Sequence, residues 1–193
     1  MRQEFINRQT AETRISVNLS VDGTGSFDGS SGIGFFDHML NSFAVHGGFD
    51  IVLSAKGDLN VDCHHTVEDI GIVLGKAFCG ALGDKRGIAR FGSCAIPMDE
   101  ALARAVVDIS GRPYLVFDAE FKDSRVGEFD TCLTEEFFRA FAFNAGITLH
   151  LSLLYGSNSH HCIEALFKAT ARALKAAVKI EGDGIPSTKE YIE

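Results

Sequence analysis

The chain has 193 residues, 46% of them hydrophobic and 23% charged, with a formal net charge of −8. This length suits one well-cored unit or two small ones in close contact, and the acidic balance excludes generic nucleic-acid binding, which needs a basic surface. The five cysteines, Cys63, Cys79, Cys94, Cys132 and Cys162, include no C-x-x-C pair and read as free thiols of a reducing compartment. With a polar N-terminus and no membrane-length apolar run, a cytoplasmic location without a membrane partner is expected.

Residues 13–21 alternate, with Ile15, Val17, Leu19 and Val21 on one face, and predict a half-buried strand. Asp22-Gly23-Thr24-Gly25 turns the chain. Residues 35–46 carry Phe36, Met39, Leu40 and Phe43 at helical spacing, and Gly47-Gly48 stops them. A short strand over 49–55 and a turn at Gly57-Asp58 lead to a second helix over 64–82. After a junction at 83–88 the plan recurs: strands over 104–109 and 113–119, a helix over 134–144 ended by Gly146, a strand over 147–155, and a closing helix over 160–180. This order predicts an α+β fold of two duplicated βαβα-type halves, approximately 1–86 and 87–193, with helices packed on one face of each sheet. The short junction predicts halves that pack tightly as one unit.

The sequence His64-His65-Thr66-Val67-Glu68 returns as His160-His161-Cys162-Ile163-Glu164, 96 positions later. On a helix, residues three or four apart share a face, so each glutamate can join its histidines. Adjacent histidines diverge by about 100° around the axis, so the natural solution sends each to a different ion. Mixed imidazole and carboxylate donors suit manganese, iron, zinc or nickel. Cys63 and Cys162 flank the clusters but are poor co-ligands. His38 precedes His64 by 26 residues, and Glu136 precedes His160 by 24. Internal symmetry therefore proposes His38, His64, His65, Glu68, Glu136, His160, His161 and Glu164 as a metal-ligand set. His46, just before Gly47-Gly48, reads as a helix C-terminal histidine favoured by the dipole. His150 reads either as a structural residue or as a site wall.

At these residues the chain resembles the imidazoleglycerol-phosphate dehydratases. The resemblance runs through Phe35-Phe36-Asp37-His38-Met39-Leu40, Asp62-Cys63-His64-His65-Thr66-Val67-Glu68-Asp69 and Arg90-Phe91-Gly92. It continues in Ser110-Gly111-Arg112-Pro113-Tyr114, Asn158-Ser159-His160-His161 and Glu164-Ala165-Leu166-Phe167-Lys168-Ala169. It implies a ribosomal protein S5 domain 2-like fold, two Mn2+ ions per active site, and a large cubic homo-oligomer of about 24 subunits built from trimers. Trimer formation would bring ligands of neighbouring subunits together. Two departures stand out. Glu136 occupies a position where the family often has histidine, and Glu190-Tyr191-Ile192-Glu193 replaces a glycine-bearing continuation after Pro186-Ser187-Thr188-Lys189.

The implied activity is dehydration of D-erythro-imidazole glycerol phosphate to imidazole acetol phosphate in histidine biosynthesis. The proton lost is carbon-bound with no adjacent carbonyl, so the imidazole ring must act as electron sink, helped by metal ions as Lewis acids. Glu12 matches a substrate-site glutamate of the family and is the expected general base, with Glu68 and Glu164 as alternatives. Arg90, Arg112, Lys168, Ser187 and Lys189 match its phosphate-binding positions; Lys168, four residues after Glu164, could equally form a helix ion pair. A metal-storage assembly and a metal-dependent phosphate-ester hydrolase are the competing readings.

Overall fold

The first half runs β1 (Gln3–Gln9), β2 (Thr13–Ser20), β3 (Phe27–Ser30), α1 (Gly34–Gly47), β4 (Asp50–Gly57) and α2 (His64–Leu82) in the computed structural model, which describes residues 1–192. Glu193, the last residue of the tail noted above, lies outside the described residues. The second half repeats the order as β5 (Phe91–Met98), β6 (Ala101–Asp108) and β7 (Tyr114–Asp118), then a short hairpin of β8 (Arg125–Val126) and β9 (Phe129–Asp130). It closes with α3 (Leu133–Ala145), β10 (Thr148–Tyr155) and α4 (Ser159–Ala177).

The two four-stranded sheets have matching orders, β1-β2-β4-β3 and β5-β6-β10-β7. In each, three strands are antiparallel and the last, β3 or β7, joins in parallel. The α+β reading with duplicated halves therefore holds; the main sheet of each half carries two strands more than the βαβα pattern, and the second half adds the β8–β9 hairpin. Alternation decides which face is covered. Ile15, Val17 and Leu19 of β2 and Leu149 and Leu151 of β10 are buried, while Arg14, Asn18 and His150 between them face out.

The helices of one half pack against those of the other, α1 on α4 and α2 on α3. Gly71 and Gly75, one turn apart on α2, make the second contact close. A Cβ on Gly75 would lie 2.6 Å from the Phe141 carbonyl oxygen, and one on Gly71 2.8 Å from that of Phe137. Phenylalanines fill the space between the helix pairs. Phe36 stands edge-on to Phe137 at 5.2 Å, Phe43 to Phe141 at 5.9 Å, and Phe78 to Phe141 at 5.6 Å. Each such ring contributes about 1.5–3 kcal/mol by burial, and these rings meet across the repeat boundary. One hydrophobic core thus serves both halves.

The closing helix ends at Ala177, three residues before the pattern's limit of 180. Beyond it the chain turns back onto the junction, where Arg90 N–H donates to the Ala177 oxygen and Ala89 N–H to the Lys179 oxygen, both at 2.8 Å. Ile180 pairs with Ile88 as an isolated bridge.

Candidate metal and phosphate site

The start of α1 is tied down by Asp37, whose carboxylate accepts from the Ser31 N–H at 2.6 Å and from the Ser30 and Ser31 hydroxyls. The start of α4 is capped by the Asn158 side chain, which accepts from the His160 N–H at 2.9 Å and the His161 N–H at 3.5 Å. Fixing both starts brings His38 beside His160, with ring centroids 5.6 Å apart, and Phe35 closes on His160 edge-on at 5.0 Å.

Glu164, one turn along α4, completes the group. Its Oε2 lies 3.3 Å from His160 Nε2 and 3.6 Å from His38 Nε2. Its Oε1 accepts from Lys168 Nζ at 2.7 Å. The carboxyl is buried, which by itself would raise its pKa; the Lys168 ammonium, with help from His38 and His160, outweighs burial and holds it lowered. Among the described residues these three form the one trio of histidine, cysteine or carboxylate donors whose ligand atoms all lie within 4.8 Å of one another. Two imidazoles and an ionised carboxylate fit a divalent transition ion of the manganese-to-zinc series.

The quasi-twofold counterpart lies on α2 and α3. His64 Nε2 is 3.9 Å from Glu68 Oε2, and Asp62 accepts from the His64 N–H at 2.7 Å. Glu136 lines a cavity of about 210 Å³ together with Glu68, and its carboxylate faces Arg139 at 3.9 Å. Glu136 thus stands opposite α2 as His38 stands opposite α4.

The second histidines go elsewhere. The His64 and His65 rings are 6.1 Å apart at 90°, and those of His160 and His161 6.1 Å apart at 78°, the divergence expected of adjacent helical positions. His65 donates from Nδ1 to Asp58 at 3.0 Å, while its Nε2 lies 3.8 Å from Glu12. His161 donates from Nδ1 to Glu100 at 2.8 Å, while its Nε2 lies 3.8 Å from Asp99. These carboxylates raise both histidines, the Nδ1 partner most strongly. The eight residues are thus spread over one chain: His38 meets His160 and Glu164, His64 meets Glu68, Glu136 lines a cavity with Glu68 but is not brought to His64, and His65 and His161 stand apart from these. Neither Asp58, Asp99 nor Glu100 was visible as a site residue in the sequence, because each reaches its histidine only through the folding of a turn.

Arg90, Arg112, Ser187 and Lys189 line one cavity of about 370 Å³, together with Ser110, Thr188, Tyr191 and Ile192. Arg90 takes a left-handed φ of 69°. Its guanidinium forks onto Asp108 at 2.7 and 3.2 Å and donates to the Pro186 oxygen at 2.8 Å. Among the described residues the Arg112 guanidinium and the Lys189 ammonium have no side-chain partner. Lys168 does not line this cavity; it is held at Glu164, with Met98 sulfur 3.4 Å away. Glu12 lies in the β1–β2 turn, where its N–H donates to the Thr10 hydroxyl at 3.1 Å, beside a second cavity that Arg14, Lys56 and Asp58 share.

Burial raises the thiols of Cys63 and Cys162, which keeps them protonated and poor as ligands. His46 sits in the last turn of α1, where burial first, then Lys168 and Arg172, lower its pKa. His150 lies on the outer face of its sheet, between Val106 and Val116, away from the helices.

A family model described as imidazoleglycerol-phosphate dehydratase matches residues 31–174. Imidazoleglycerol-phosphate dehydratase of Caldanaerobacter subterraneus is 61% identical over 191 residues, covering 98% of each chain. That of Lacticaseibacillus casei is 59% identical over 194 residues, covering 100% of each. The crystal structure of the Staphylococcus aureus enzyme superposes with a TM-score of 0.83 at 45% identity, over 92% of this chain and 99% of its own. The Pyrococcus furiosus enzyme, solved in complex with (S)-C348, superposes at 0.84 with 37% identity, over 97% and 100%.

Proposed function

The chain belongs to the imidazoleglycerol-phosphate dehydratase family, hydro-lyases of histidine biosynthesis, and from that premise we propose that it dehydrates D-erythro-imidazole glycerol phosphate to imidazole acetol phosphate in a metal-dependent reaction. The observation that carries the metal dependence is the meeting of His38 from α1 with His160 and Glu164 from α4. Two Mn2+ ions per active site are assigned, one to His38, His160 and Glu164 and one to His64, Glu68 and Glu136. His65 and His161, which are held by other carboxylates, serve the sites of neighbouring subunits. Bound manganese would supply Lewis-acid stabilisation of charge on the imidazole ring.

The chain's own groups do the rest. Arg112, Lys189, Ser187 and Arg90 receive the phosphate in the cavity they line, where a guanidinium offers a planar fork to two oxygens. Lys168 keeps Glu164 ionised at the edge of the site. Glu12, beside His65, takes the carbon-bound proton; Glu68 and Glu164 are assigned to metal ions, and a metal-bound carboxylate is a weaker base. The separate places of the ligands in one subunit support a site completed between subunits, and the family resemblance implies that this happens in a large cubic homo-oligomer of trimers, about 24 subunits in all. Each subunit acts as one unit of two repeats, approximately 1–86 and 87–193. Five free cysteines fit a cytoplasmic setting, and no helix among the described residues is long and apolar enough to cross a membrane.

The test is to incubate the manganese-loaded protein with imidazole glycerol phosphate. Formation of the ketone product, abolished by chelation and restored by Mn2+, supports the reading. Release of inorganic phosphate would instead indicate a hydrolase, and metal uptake without any reaction a storage protein.

A further inference from the structure

Each repeat contains a carboxylate that grips the second histidine of its pair from behind. Asp58 accepts from His65 Nδ1 at 3.0 Å and Glu100 from His161 Nδ1 at 2.8 Å. The two carboxylates are not copies of one position. Asp58 follows β4, whereas Glu100 lies between β5 and β6. The same contact has been reached from two different turns. Asp58 also has one buried oxygen without a hydrogen-bond partner among the described residues. An unsatisfied buried oxygen costs folding free energy, so stability alone does not account for this carboxylate.

A histidine that donates from Nδ1 carries its lone pair on Nε2, the form that binds a metal ion. We propose that Asp58 and Glu100 are positioning residues that hold His65 and His161 in that tautomer, with the lone pair on Nε2. The proposal rests on the metal-dependent reading above.

Glu100 supplies the discriminating variant. Its Oε1 accepts from the Ser157 N–H at 3.1 Å and the Asn158 N–H at 2.7 Å, while its Oε2 serves His161. In Glu100→Gln the single amide oxygen stays with those two backbone donors, and the amide NH2 is turned towards His161 Nδ1. That makes Nδ1 the acceptor and puts the proton on Nε2, the wrong tautomer for ligation. Glu100→Ala leaves Nδ1 to water and both tautomers open, yet removes more of the fold's support. A structural role and a positioning role therefore rank the two variants in opposite order.

The experiment titrates the full-length chain and its Glu100→Gln, Glu100→Ala and Asp58→Asn variants with Mn2+, following the free ion by electron paramagnetic resonance. Urea midpoints of the metal-free proteins are measured alongside. Expected is a loss of Mn2+ affinity of about 10–100-fold in Glu100→Gln, a smaller loss in Glu100→Ala, and a lower urea midpoint in Glu100→Ala than in Glu100→Gln. Wild-type affinity in both Glu100→Gln and Asp58→Asn overturns the proposal, as does a larger metal loss in Glu100→Ala than in Glu100→Gln. A wild-type chain that takes up no Mn2+ overturns the metal-dependent reading itself, and the proposal with it.

Discussion

Lys168 and Glu164 meet at 2.7 Å, one helical turn apart on α4, where Glu164 is only 7% exposed. The Lys168 ammonium offsets the upward push of burial on this carboxylate, and the oxygen on the other side is the one that faces His38 and His160.

Lys168→Met removes the charge but keeps the stem. It leaves the buried Glu164 carboxylate without its strongest partner, so the metal-free protein should lose about 3 kcal/mol of stability at neutral pH, the low end for a broken buried pair. In the variant burial raises the Glu164 pKa. The deficit is therefore full while the group is ionised and shrinks as pH falls through the raised value. Urea midpoints between neutral and mildly acid pH check this; a deficit that does not vary with pH would remove Glu164 as its source.

Arg112→Ala removes an unpaired guanidinium from the cavity shared with Arg90, Ser187 and Lys189. Losing a charged hydrogen bond of about 1.5–3 kcal/mol should raise the KM for imidazole glycerol phosphate roughly 10–100-fold while bound manganese stays constant. A phosphate-free imidazole analogue should lose little affinity. Equal losses for both ligands would take the phosphate away from Arg112.

Gly75→Ala would place a methyl 2.6 Å from the Phe141 oxygen and 2.9 Å from Asn144 Cβ, on the α2–α3 seam. Overpacking of about 1–3 kcal/mol should exceed the gain in helix propensity of up to about 1 kcal/mol. A net loss is expected in a urea titration, together with weaker metal binding by His64 and Glu68 on the displaced helix.

Asp50 accepts from the backbone N–H groups of Ser26, Thr24 and Gly25, and these hold its pKa at about 2 against an ordinary 3.8. A carboxyl whose folded value is depressed contributes stability that is present above 3.8 and lost as pH falls towards about 2. Asp50→Asn should flatten the fall in stability over that window, as measured by urea midpoints; an unchanged slope would mean that Asp50 is not its cause.

The periodic elements were legible in the sequence because one face of each is buried. The helix over 64–82 is found with those bounds, and α1, α3, β2, β4 and β10 differ by a residue or two. The edge strands β1, β3 and β5 were not legible, whereas the edge strand β7 falls inside the strand expected over 113–119. Every residue of β1 is at least partly exposed, and β3 reads Phe27-Asp28-Gly29-Ser30, so neither offers an apolar stripe; both form because a neighbouring strand presents unpaired backbone groups. In the site, His38 could be proposed from the internal repeat alone. Asp58 and Glu100 could not, since each meets its histidine across a turn that carries no periodic signal.

The pairing of α1 with α4 and of α2 with α3 has a bearing on the chain's history. Two identical halves related by a twofold would have offered the same donors twice. Here residue 38 is an imidazole, and its counterpart at residue 136 is a carboxylate that leans on an arginine of its own helix. The halves have ceased to be interchangeable: a segment grafted from one repeat into the other would restore the backbone but not the chemistry.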